Sequence, residues 1–523
     1  MNQKIGEFLT EVRRKLKDRD IYTDYMRRLV WGTDAGFYRQ VPQVVVRAAD
    51  EHDISVIMQT ASKHGVALTF RAAGTSLSGQ AISDSVLVVA GKHWEKCEVL
   101  DSGKYVRVQP GVVGQRVNDM LRPYGYRFAP DPASVKSAMV GGIVANNASG
   151  MNCGTHANSD RMLRSARIVF ADGSVLDTSS AESRREWGAA HSDLVAGVER
   201  LRDRVRASSS LVERMKRKYS IKNVMGLNLL PFISHDDPYD IIAHLMVGSE
   251  GTLAFLAEVT LANEKEYAFK ASAMLYFSDI SEASRAVVAL QKLTDSDGNK
   301  RVHSAEMLDS KSLASVNDTT GSGLTAVLTE TKAHTAEALQ QNIEEITAAL
   351  GAYALFRPAE FTDDAAKQAE LWNIRSGVFP AVGGSRQAGT TCMIEDVAFH
   401  IEDLPQATAD LQALIARHGY DDACIYGHAL EGNYHFIINQ AFATDQDVSR
   451  YKALMADVAE LVLDRYDGSL KAEHGTGRNM APYVRREWGD EAYDVMREVK
   501  ALFDPAGILN PGVIFNDDPE CHL

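Results

Sequence analysis

The chain has 523 residues, a length that predicts two or more domains rather than one core. Its 45% apolar and 24% charged content is ordinary for a globular protein, and its net charge of -14 argues against general nucleic-acid binding. No apolar run approaches the roughly 18 residues of a membrane span, and the charged N-terminus lacks the apolar core of a secretory signal. We therefore expect a cytoplasmic protein, with no more than peripheral contact at the inner face of a membrane.

The predicted elements begin with one or two amphipathic helices in residues 3–30. Residues 54–65 predict a helix that ends at a C-cap glycine, and the apolar runs at 85–91 and 105–111 predict strands. Beyond about residue 265 strand-like stretches alternate with longer helices, such as 405–418 and 447–467. We predict an α+β protein with a helical segment at 1–30, domains at 31–265 and 266–500, and a segment at 501–523 that returns to the first domain.

One basic stretch, RLRDRVRASSSLVERMKRK at 200–218, is expected to be the solvated face of a surface helix. The alternative is a docking site for anionic lipid or an acidic partner. The five cysteines never have CxxC spacing, which predicts reduced thiols and provides no iron–sulfur ligand set. They are Cys97, Cys153, Cys392, Cys424 and Cys521.

Three glycine-rich segments stand out at 69–81, 137–178 and 248–261. In the first, TFRAAGTSLSGQA, small residues and successive backbone N–H groups can cradle a phosphate, although an ordinary turn has the same composition. The second is dense enough in small residues to pack against a flat ligand. No GxGxxG motif opens a βαβ unit, so a Rossmann-type NAD site is not expected.

Together, and in this order, the three segments resemble the FAD-binding domain of the vanillyl-alcohol oxidase superfamily, the FAD-linked oxidases. The loop R-x-x-G-T-S/G-x-x-G of that family matches Arg71, Gly74, Thr75 and Gly79. The stretches 31–46 and 508–515 resemble the family's entry strand and closing segment. The resemblance implies an FAD-binding domain of this type followed by an α+β substrate (cap) domain with an antiparallel sheet.

The same resemblance implies a pyrophosphate at residues 71–80 and an isoalloxazine along residues 137–154. Some members attach flavin through a histidine of the first loop, where this chain has Thr75 and Ser76, so non-covalent FAD is expected. The residues implied at the FAD are Arg71, Ala73, Gly74, Thr75, Ser76, Ser78, Gly79, Gln80, Pro130, Ser137, Gly141, Gly142, Asn146, Ala148, Ser149, Gly150, Gly154, Gly248, Glu250, Gly251 and Asn510.

A candidate metal site comes from YGHALEGNYHF at 426–436 and KAEHGTGRN at 471–479. His428 and His435 would face opposite sides of a regular strand, but a bend at Gly432 would let both imidazoles turn to one point. With Glu473 they form the donor set of a catalytic divalent metal that keeps one position open. Spacing alone also fits two histidines with structural roles.

The pattern GHxxxGNxH followed by AEHGxG resembles the branch that oxidises D-2-hydroxy acids. The resemblance implies zinc or manganese at His428, His435 and Glu473, and a catalytic base at His474. Gly475 and Gly477 are expected to leave room for substrate and flavin.

Arg375 is the candidate anchor for the substrate carboxylate, because the W-x-x-R pattern of the same branch matches Trp372 and Arg375. An arginine on a helix is otherwise usually a surface residue. Arg478 is a weaker second candidate for the anchor.

The substrate is predicted to be a small acid, D-lactate, which would be oxidised to pyruvate. Relatives acting on D-2-hydroxyglutarate carry a lysine and a polar residue where this chain has CMIEDVAF and Ile437, and that diacid is the alternative substrate.

Electrons would pass to a quinone, a cytochrome or an iron–sulfur domain. A flavin-free metallohydrolase and a non-catalytic flavin-binding subunit remain rivals. The chain is either a short natural form or the flavin half of a longer polypeptide.

Overall fold

The computed structural model describes residues 2–16, 20–150, 154–318 and 323–523. Cys153 and the rest of 151–153, part of the predicted isoalloxazine segment, lie outside the described residues. Two larger sheets and a two-stranded ribbon come from the N-terminal half of the chain, and one six-stranded sheet comes from the C-terminal half.

The first sheet has the strand order β1-β2-β4-β3, in which β2, β4 and β3 are parallel and β1 is antiparallel to β2. Its central strands are almost wholly buried and read as continuous runs of valine and leucine, as expected where both faces of a parallel sheet are covered. The strands are β1 (Ile21–Tyr22), β2 (Val44–Arg47), β3 (Leu68–Arg71) and β4 (Val86–Val89). The accompanying helices are α1 (Gln3–Lys15), α2 (Tyr25–Val30) and α3 (Glu51–His64).

The second sheet is antiparallel, with the order β5-β6-β10-β8-β9, and the ribbon pairs β7 with β11. The strands are β5 (Cys97–Leu100), β6 (Tyr105–Val108), β7 (Tyr126–Arg127), β8 (Leu163–Val169), β9 (Val175–Asp177), β10 (Phe255–Ala262) and β11 (Glu264–Lys265). The helices are α4 (Gly114–Leu121), α5 (Val140–Asn146), α6 (Ser159–Met162), α7 (Ala181–Ala190), α8 (Ser192–Ala207), α9 (Ser209–Lys218), α10 (Pro231–Ser234) and α11 (Pro238–Leu245).

The third sheet is fully antiparallel, with the order β12-β14-β13-β16-β17-β15. Its strands are β12 (Phe269–Phe277), β13 (Ser304–Leu308), β14 (Thr325–Ala333), β15 (Thr390–Ala398), β16 (Cys424–His428) and β17 (Asn433–Ala441). The helices are α12 (Ile280–Gln291), α13 (Ser310–Ser315), α14 (Ala336–Leu350), α15 (Ala365–Ser385), α16 (Leu404–Arg417), α17 (Asp445–Ala459), α18 (Val484–Trp488) and α19 (Asp490–Phe503).

The C-terminal segment runs back to the first sheet. Leu509 pairs in parallel with Leu68 of β3, and the Asn510 backbone N–H donates to Leu68 O at 2.7 Å. The far end of the chain therefore adds a single bridge at the β3 edge of the first sheet.

The helices predicted at 54–65 and 405–418 are confirmed as α3 and α16, and the left-handed Gly65 ends α3. The helix predicted at 447–467 is α17 continued by a π-helical turn, Glu460–Arg465. Among the described residues, no helix combines the length and the apolar character needed to cross a bilayer. The four described cysteines are free thiols, as predicted.

The basic stretch forms the end of α8 and all of α9. Its arginines are engaged by the protein itself: Arg206 pairs with Asp236, and both Arg214 and Arg217 pair with Asp467. These ion pairs favour the predicted surface helix over a docking site for anionic lipid or an acidic partner.

Candidate active site

A cavity of about 550 Å³ is lined by both halves of the chain. The N-terminal half contributes residues from the segments 70–81, 132–149 and 249–256. The C-terminal half contributes Arg375, His428, His435, Glu473 and His474, together with apolar neighbours. The glycine-rich segments and the candidate catalytic residues therefore meet around one space.

Most of the residues predicted at the FAD line this cavity: Arg71, Ala73, Gly74, Thr75, Ser76, Gln80, Ser137, Gly141, Gly142, Asn146, Ala148, Ser149, Glu250 and Gly251. The other seven do not line it: Ser78, Gly79, Pro130, Gly150, Gly154, Gly248 and Asn510. Asn510 supports the wall from behind, since its side-chain amide donates to Gln80 O at 3.0 Å and Glu250 O at 2.8 Å.

The first loop is shaped around Arg71. Gly74 has a φ of +77°, and a Cβ there would lie 2.4 Å from the Arg71 guanidinium, so glycine is required by both backbone and space. Arg71 Nη1 donates to Thr33 O at 2.7 Å. On the opposite wall, a Cβ on Gly142 would meet no atom within 4 Å, so this glycine widens the cavity.

The three predicted metal ligands converge. His428 ends β16 and His435 lies on the adjacent strand β17, joined by a short turn that closes at Gly432 with a φ of +67°. Glu473 Oε1 lies 3.0 Å from His428 Nε2 and 3.4 Å from His435 Nε2. All three residues are buried.

A carboxylate lies on the far side of each imidazole. His428 Nδ1 lies 2.7 Å from Glu306 Oε1, and His435 Nδ1 lies 3.2 Å from Asp396 Oδ1. Because an ionised carboxylate only accepts hydrogen bonds, His428 Nδ1 donates to Glu306, and in the neutral ring its Nε2 presents a lone pair to Glu473. His435 has the same two neighbours in kind, but its Nδ1 makes no well-directed hydrogen bond to Asp396. With both rings neutral, the two Nε2 atoms and Glu473 Oε1 lie close together as ligand atoms, so the donor set fits a divalent metal.

Lys222, a residue that sequence reasoning missed, holds the second oxygen of Glu473. Its Nζ donates to Glu473 Oε2 at 3.1 Å and to Gly150 O at 3.0 Å. Burial by itself raises the pKa of Glu473, but His428 and Lys222 outweigh it and keep that pKa well below its usual range. Glu473 is therefore ionised, with Oε1 left to the imidazoles.

The segment 471–479 is held at both ends and at its centre by β15. Glu395 accepts from Lys471 Nζ at 2.9 Å and from Asn479 Nδ2 at 3.2 Å. Asp396 Oδ2 accepts from the backbone N–H groups of Glu473 at 2.7 Å and of His474 at 2.9 Å. Neighbouring residues of one strand therefore fix the backbone that carries the ligand and the candidate base.

The glycines of this segment make room for protein atoms rather than for substrate and flavin, contrary to our expectation. A Cβ on Gly475 would lie 1.9 Å from both Asn146 Nδ2 and Glu250 Oε1. A Cβ on Gly477 would lie 1.9 Å from Ser78 O. They allow the segment to pack closely against the flavin-site wall.

His474 stacks parallel to His435, with ring centroids 4.8 Å apart. Burial is the main cause that lowers its pKa to about 4, so its imidazole is neutral at neutral pH. Nδ1 is buried without a hydrogen-bond partner, whereas Nε2 lies 3.9 Å from Glu473 Oε1. Nε2 is therefore the nitrogen placed to exchange a proton beside the ligand cluster.

Arg375 is buried, not a surface residue of α15. Its Nε donates to Glu306 Oε2 at 2.7 Å, and its guanidinium lies over the Tyr426 ring at 4.5 Å from the centroid. Burial raises the pKa of Glu306, but His428 and Arg375 outweigh it and lower that pKa to about 2. Arg478, the weaker candidate, does not line the cavity and lies against Gly512.

The wall near Arg375 is otherwise apolar, with Phe379, Pro380, Ile394 and Tyr426 lining it. Ile437 lies away from the cavity, fully buried in an apolar cluster.

Sequence reasoning also left Glu306 and Asp396 out of the site. The signal available for each was an acidic residue within an otherwise apolar strand, SAEML and CMIEDVA, where an unpaired charge would be costly.

Two family models match the chain. The model described as "FAD binding domain" matches residues 42–179, and the model described as "FAD linked oxidases, C-terminal domain" matches residues 267–514. The two matches follow one another and cover most of the chain.

Three curated relatives have similar identity. A D-2-hydroxyglutarate dehydrogenase of Escherichia coli (strain K12) is 25% identical over 98% of this chain and 52% of its own length. Glycolate oxidase subunit GlcD of Bacillus subtilis is 24% identical over 94% of this chain and 93% of its own. Mitochondrial D-lactate dehydrogenase [cytochrome] of Arabidopsis thaliana is 23% identical over 97% of this chain and 79% of its own. The chain thus spans about half the length of the D-2-hydroxyglutarate dehydrogenases that it matches.

The fold is similar to that of solved structures. A crystal structure of p-cresol methylhydroxylase superposes with a TM-score of 0.70, covering 98% of this chain and 97% of that one at 12% identity.

Proposed function

The chain belongs to the FAD-linked oxidases of the vanillyl-alcohol oxidase superfamily, and from this premise we propose that it acts on D-2-hydroxy acids and oxidises D-lactate to pyruvate. One observation carries the proposal. An arginine, an imidazole and a cluster of two histidines and a carboxylate meet at one end of the cavity that the FAD-binding segments line.

Arg375 binds the substrate carboxylate. Glu306 engages its Nε and Tyr426 supports its plane, so the terminal nitrogens are held ready for two parallel hydrogen bonds with a carboxylate. The apolar wall at Phe379 and Ile394 suits the methyl group of lactate.

His474 Nε2 takes the proton of the substrate hydroxyl. A neutral imidazole is the form able to do this, and Asp396 fixes its position through the backbone of 473–474. A positioned general base contributes about 10²–10⁴-fold to the rate.

His428, His435 and Glu473 would hold zinc or manganese, which when bound supplies the Lewis acidity that lowers the pKa of the substrate hydroxyl. The buried charges agree with a dication. The carboxylates of Glu306, Asp396 and Glu473 exceed the cations of Arg375 and Lys222 by one, so a dication and one substrate carboxylate together leave the site neutral.

The glycine-rich segments that line the cavity would hold FAD, which when bound would supply the acceptor for the hydride of the substrate's second carbon. Thr75 and Ser76 line the cavity where a histidine would be needed for covalent attachment, so we propose dissociable FAD. A quinone, a cytochrome or an iron–sulfur protein is the proposed acceptor, and the cytoplasm, with contact at the inner membrane face, is the proposed location.

D-2-hydroxyglutarate is the second candidate substrate, because several of the similar curated proteins are D-2-hydroxyglutarate dehydrogenases. In this chain, however, the stretch CMIEDVAF lacks the lysine expected for that diacid, and its Ile394 lines the cavity.

Anaerobic mixing of the FAD-loaded protein with each acid tests the proposal. D-lactate should bleach the flavin absorbance quickly, L-lactate should not, and D-2-hydroxyglutarate should act more slowly at equal concentration. Faster bleaching by D-2-hydroxyglutarate would identify the diacid, and not D-lactate, as the substrate. Bleaching by neither acid would reject the proposed reaction. A protein that binds no FAD and hydrolyses a substrate would point to the metallohydrolase instead.

A further inference from the structure

Glu250 is a buried carboxyl in the cavity wall that the proposed mechanism does not use. It lies between α11 and β10, and its φ of +51° is in the left-handed region that favours glycine. Its backbone N–H donates to Ala145 O at 2.9 Å, and its carbonyl accepts from Asn510 Nδ2 at 2.8 Å. The backbone is thus held in a strained form that directs the carboxyl to the cavity wall.

Both amide donors around the carboxyl go to the same oxygen. Glu250 Oε1 accepts from Asn146 Nδ2 at 2.8 Å and from Gln80 Nε2 at 3.4 Å. Oε1 also lies directly behind Gly475, where a Cβ would come within 1.9 Å. Oε2 is therefore the oxygen left for a ligand in the cavity.

Among the described residues, no cation pairs with this carboxyl. In the described chain, the segments packed against it are the end of α5, residues 78–81, residues 473–477 and Asn510. Their titratable side chains, Glu473 and His474, form no hydrogen bond or ion pair with the Glu250 side chain. The cavity's arginines turn elsewhere: Arg71 to Thr33, and Arg375 to Glu306.

Desolvation without a compensating charge favours the uncharged form of an acid. Burial raises the pKa of Glu250 to about 8, against the smaller opposing effect of the two amide hydrogen bonds. The arrangement suits a neutral acid, because a carbonyl oxygen accepts two N–H groups while the hydroxyl faces the ligand.

We propose that Glu250 is held as a neutral carboxylic acid and that its Oε2–H donates a hydrogen bond to the bound flavin. The proposal rests on the FAD-binding part of the proposed function and not on the identity of the hydroxy acid. A neutral donor stabilises the negative charge that a flavin gains on reduction, whereas a carboxylate in the same place would oppose it.

Glu250→Gln is the matched variant, because glutamine reproduces the shape and hydrogen bonding of the protonated acid but cannot ionise. Its carbonyl would accept from Asn146 and Gln80, and its NH₂ group would face the cavity. Glu250→Ala removes the donor altogether. All three proteins are loaded with FAD, and the flavin midpoint potential is measured from about pH 6 to about pH 9.5, a range that spans the ionisation of a carboxyl raised by burial.

We expect wild type and Glu250→Gln to have the same potential at about pH 6, and wild type to fall below the variant above about pH 8 as the carboxyl ionises beside the flavin. Glu250→Ala should lie below both at low pH. If Glu250→Ala does not retain FAD, the comparison of wild type with Glu250→Gln decides the test.

A constant offset between wild type and Glu250→Gln would overturn the proposal, because it would mean an ionised carboxylate throughout. Superimposed curves over the whole range would overturn it too, since a carboxyl touching the flavin must alter its potential on ionising. A wild type that takes up no FAD would overturn the proposed function as well, so the two failures are distinguishable.

Discussion

At the scale of single residues, the candidate base His474 differs from the candidate metal ligands His428 and His435 in the groups that surround its ring. His435 and His474 are stacked rings, yet of the three histidines at the site it is His428 and His435 that face a carboxylate at both nitrogens. We predict that His474→Gln slows flavin reduction by D-lactate by about 10²–10⁴-fold, because the proton acceptor is lost. FAD and metal content should stay unchanged, since His474 is not in the ligand set. The rate of flavin reduction is followed by stopped-flow absorbance, and FAD and metal content are measured on the same preparations.

His303→Gln is the control for this variant, because His303 is another histidine whose pKa is lowered to about 4 by burial and which does not line the cavity. It should reduce its flavin at the wild-type rate. An unaltered rate in His474→Gln would leave the chain without this base and favour a non-catalytic flavin-binding subunit.

At the scale of elements, β15 fastens the 471–479 segment through a fully buried ion pair between Glu395 and Lys471. Glu395→Met leaves the Lys471 ammonium buried without its partner. We predict a loss of about 3–5 kcal/mol in the free energy of unfolding, measured by denaturant titration. The double variant Glu395→Met with Lys471→Met should recover most of that loss, because an apolar pair of similar size replaces the charges.

The comparison for this pair is Glu498→Gln, which breaks the exposed pair with Arg204 and should cost only about 0–1 kcal/mol. Equal losses of unfolding free energy at the two sites would show that burial does not strengthen the contribution of the Glu395–Lys471 pair to stability.

At the scale of the whole molecule, Asn510 connects the C-terminus to the FAD-binding wall. Its side chain accepts from Thr69 Oγ1 at 3.0 Å and donates to Gln80 O and Glu250 O, and its φ is +44°. We predict that Asn510→Gly lowers stability by about 2–3 kcal/mol through lost hydrogen bonds, and that Asn510→Ala costs about 1 kcal/mol more because of its Cβ. FAD affinity, measured by fluorescence titration, should fall about tenfold in both, which corresponds to about 1.4 kcal/mol.

Asn317→Gly provides the reference, because Asn317 is an exposed left-handed residue away from the cavity and should change stability by no more than about 0.5 kcal/mol. If Asn510→Gly retained wild-type FAD affinity, the C-terminal return would have no part in shaping the wall.

The sequence by itself determined what is local in this protein. Hydrophobic periodicity and terminal glycines defined α3 and α16, because helix formation and capping depend on neighbours three or four residues away. The flavin loop, the pair of histidines and the segment KAEHGTGRN were recognisable as motifs, because each lies within a dozen residues.

Only the tertiary structure decided what depends on distant segments. Lys222 and Glu306 lie 251 and 122 positions from the ligands that they touch, Glu473 and His428, and no local pattern links them. The roles of Gly475 and Gly477 were misjudged for the same reason, since the atoms that need their space belong to Asn146, Glu250 and Ser78. A local pattern depends on the backbone nearby, whereas the charge and space around a buried group depend on whichever segments the fold brings against it.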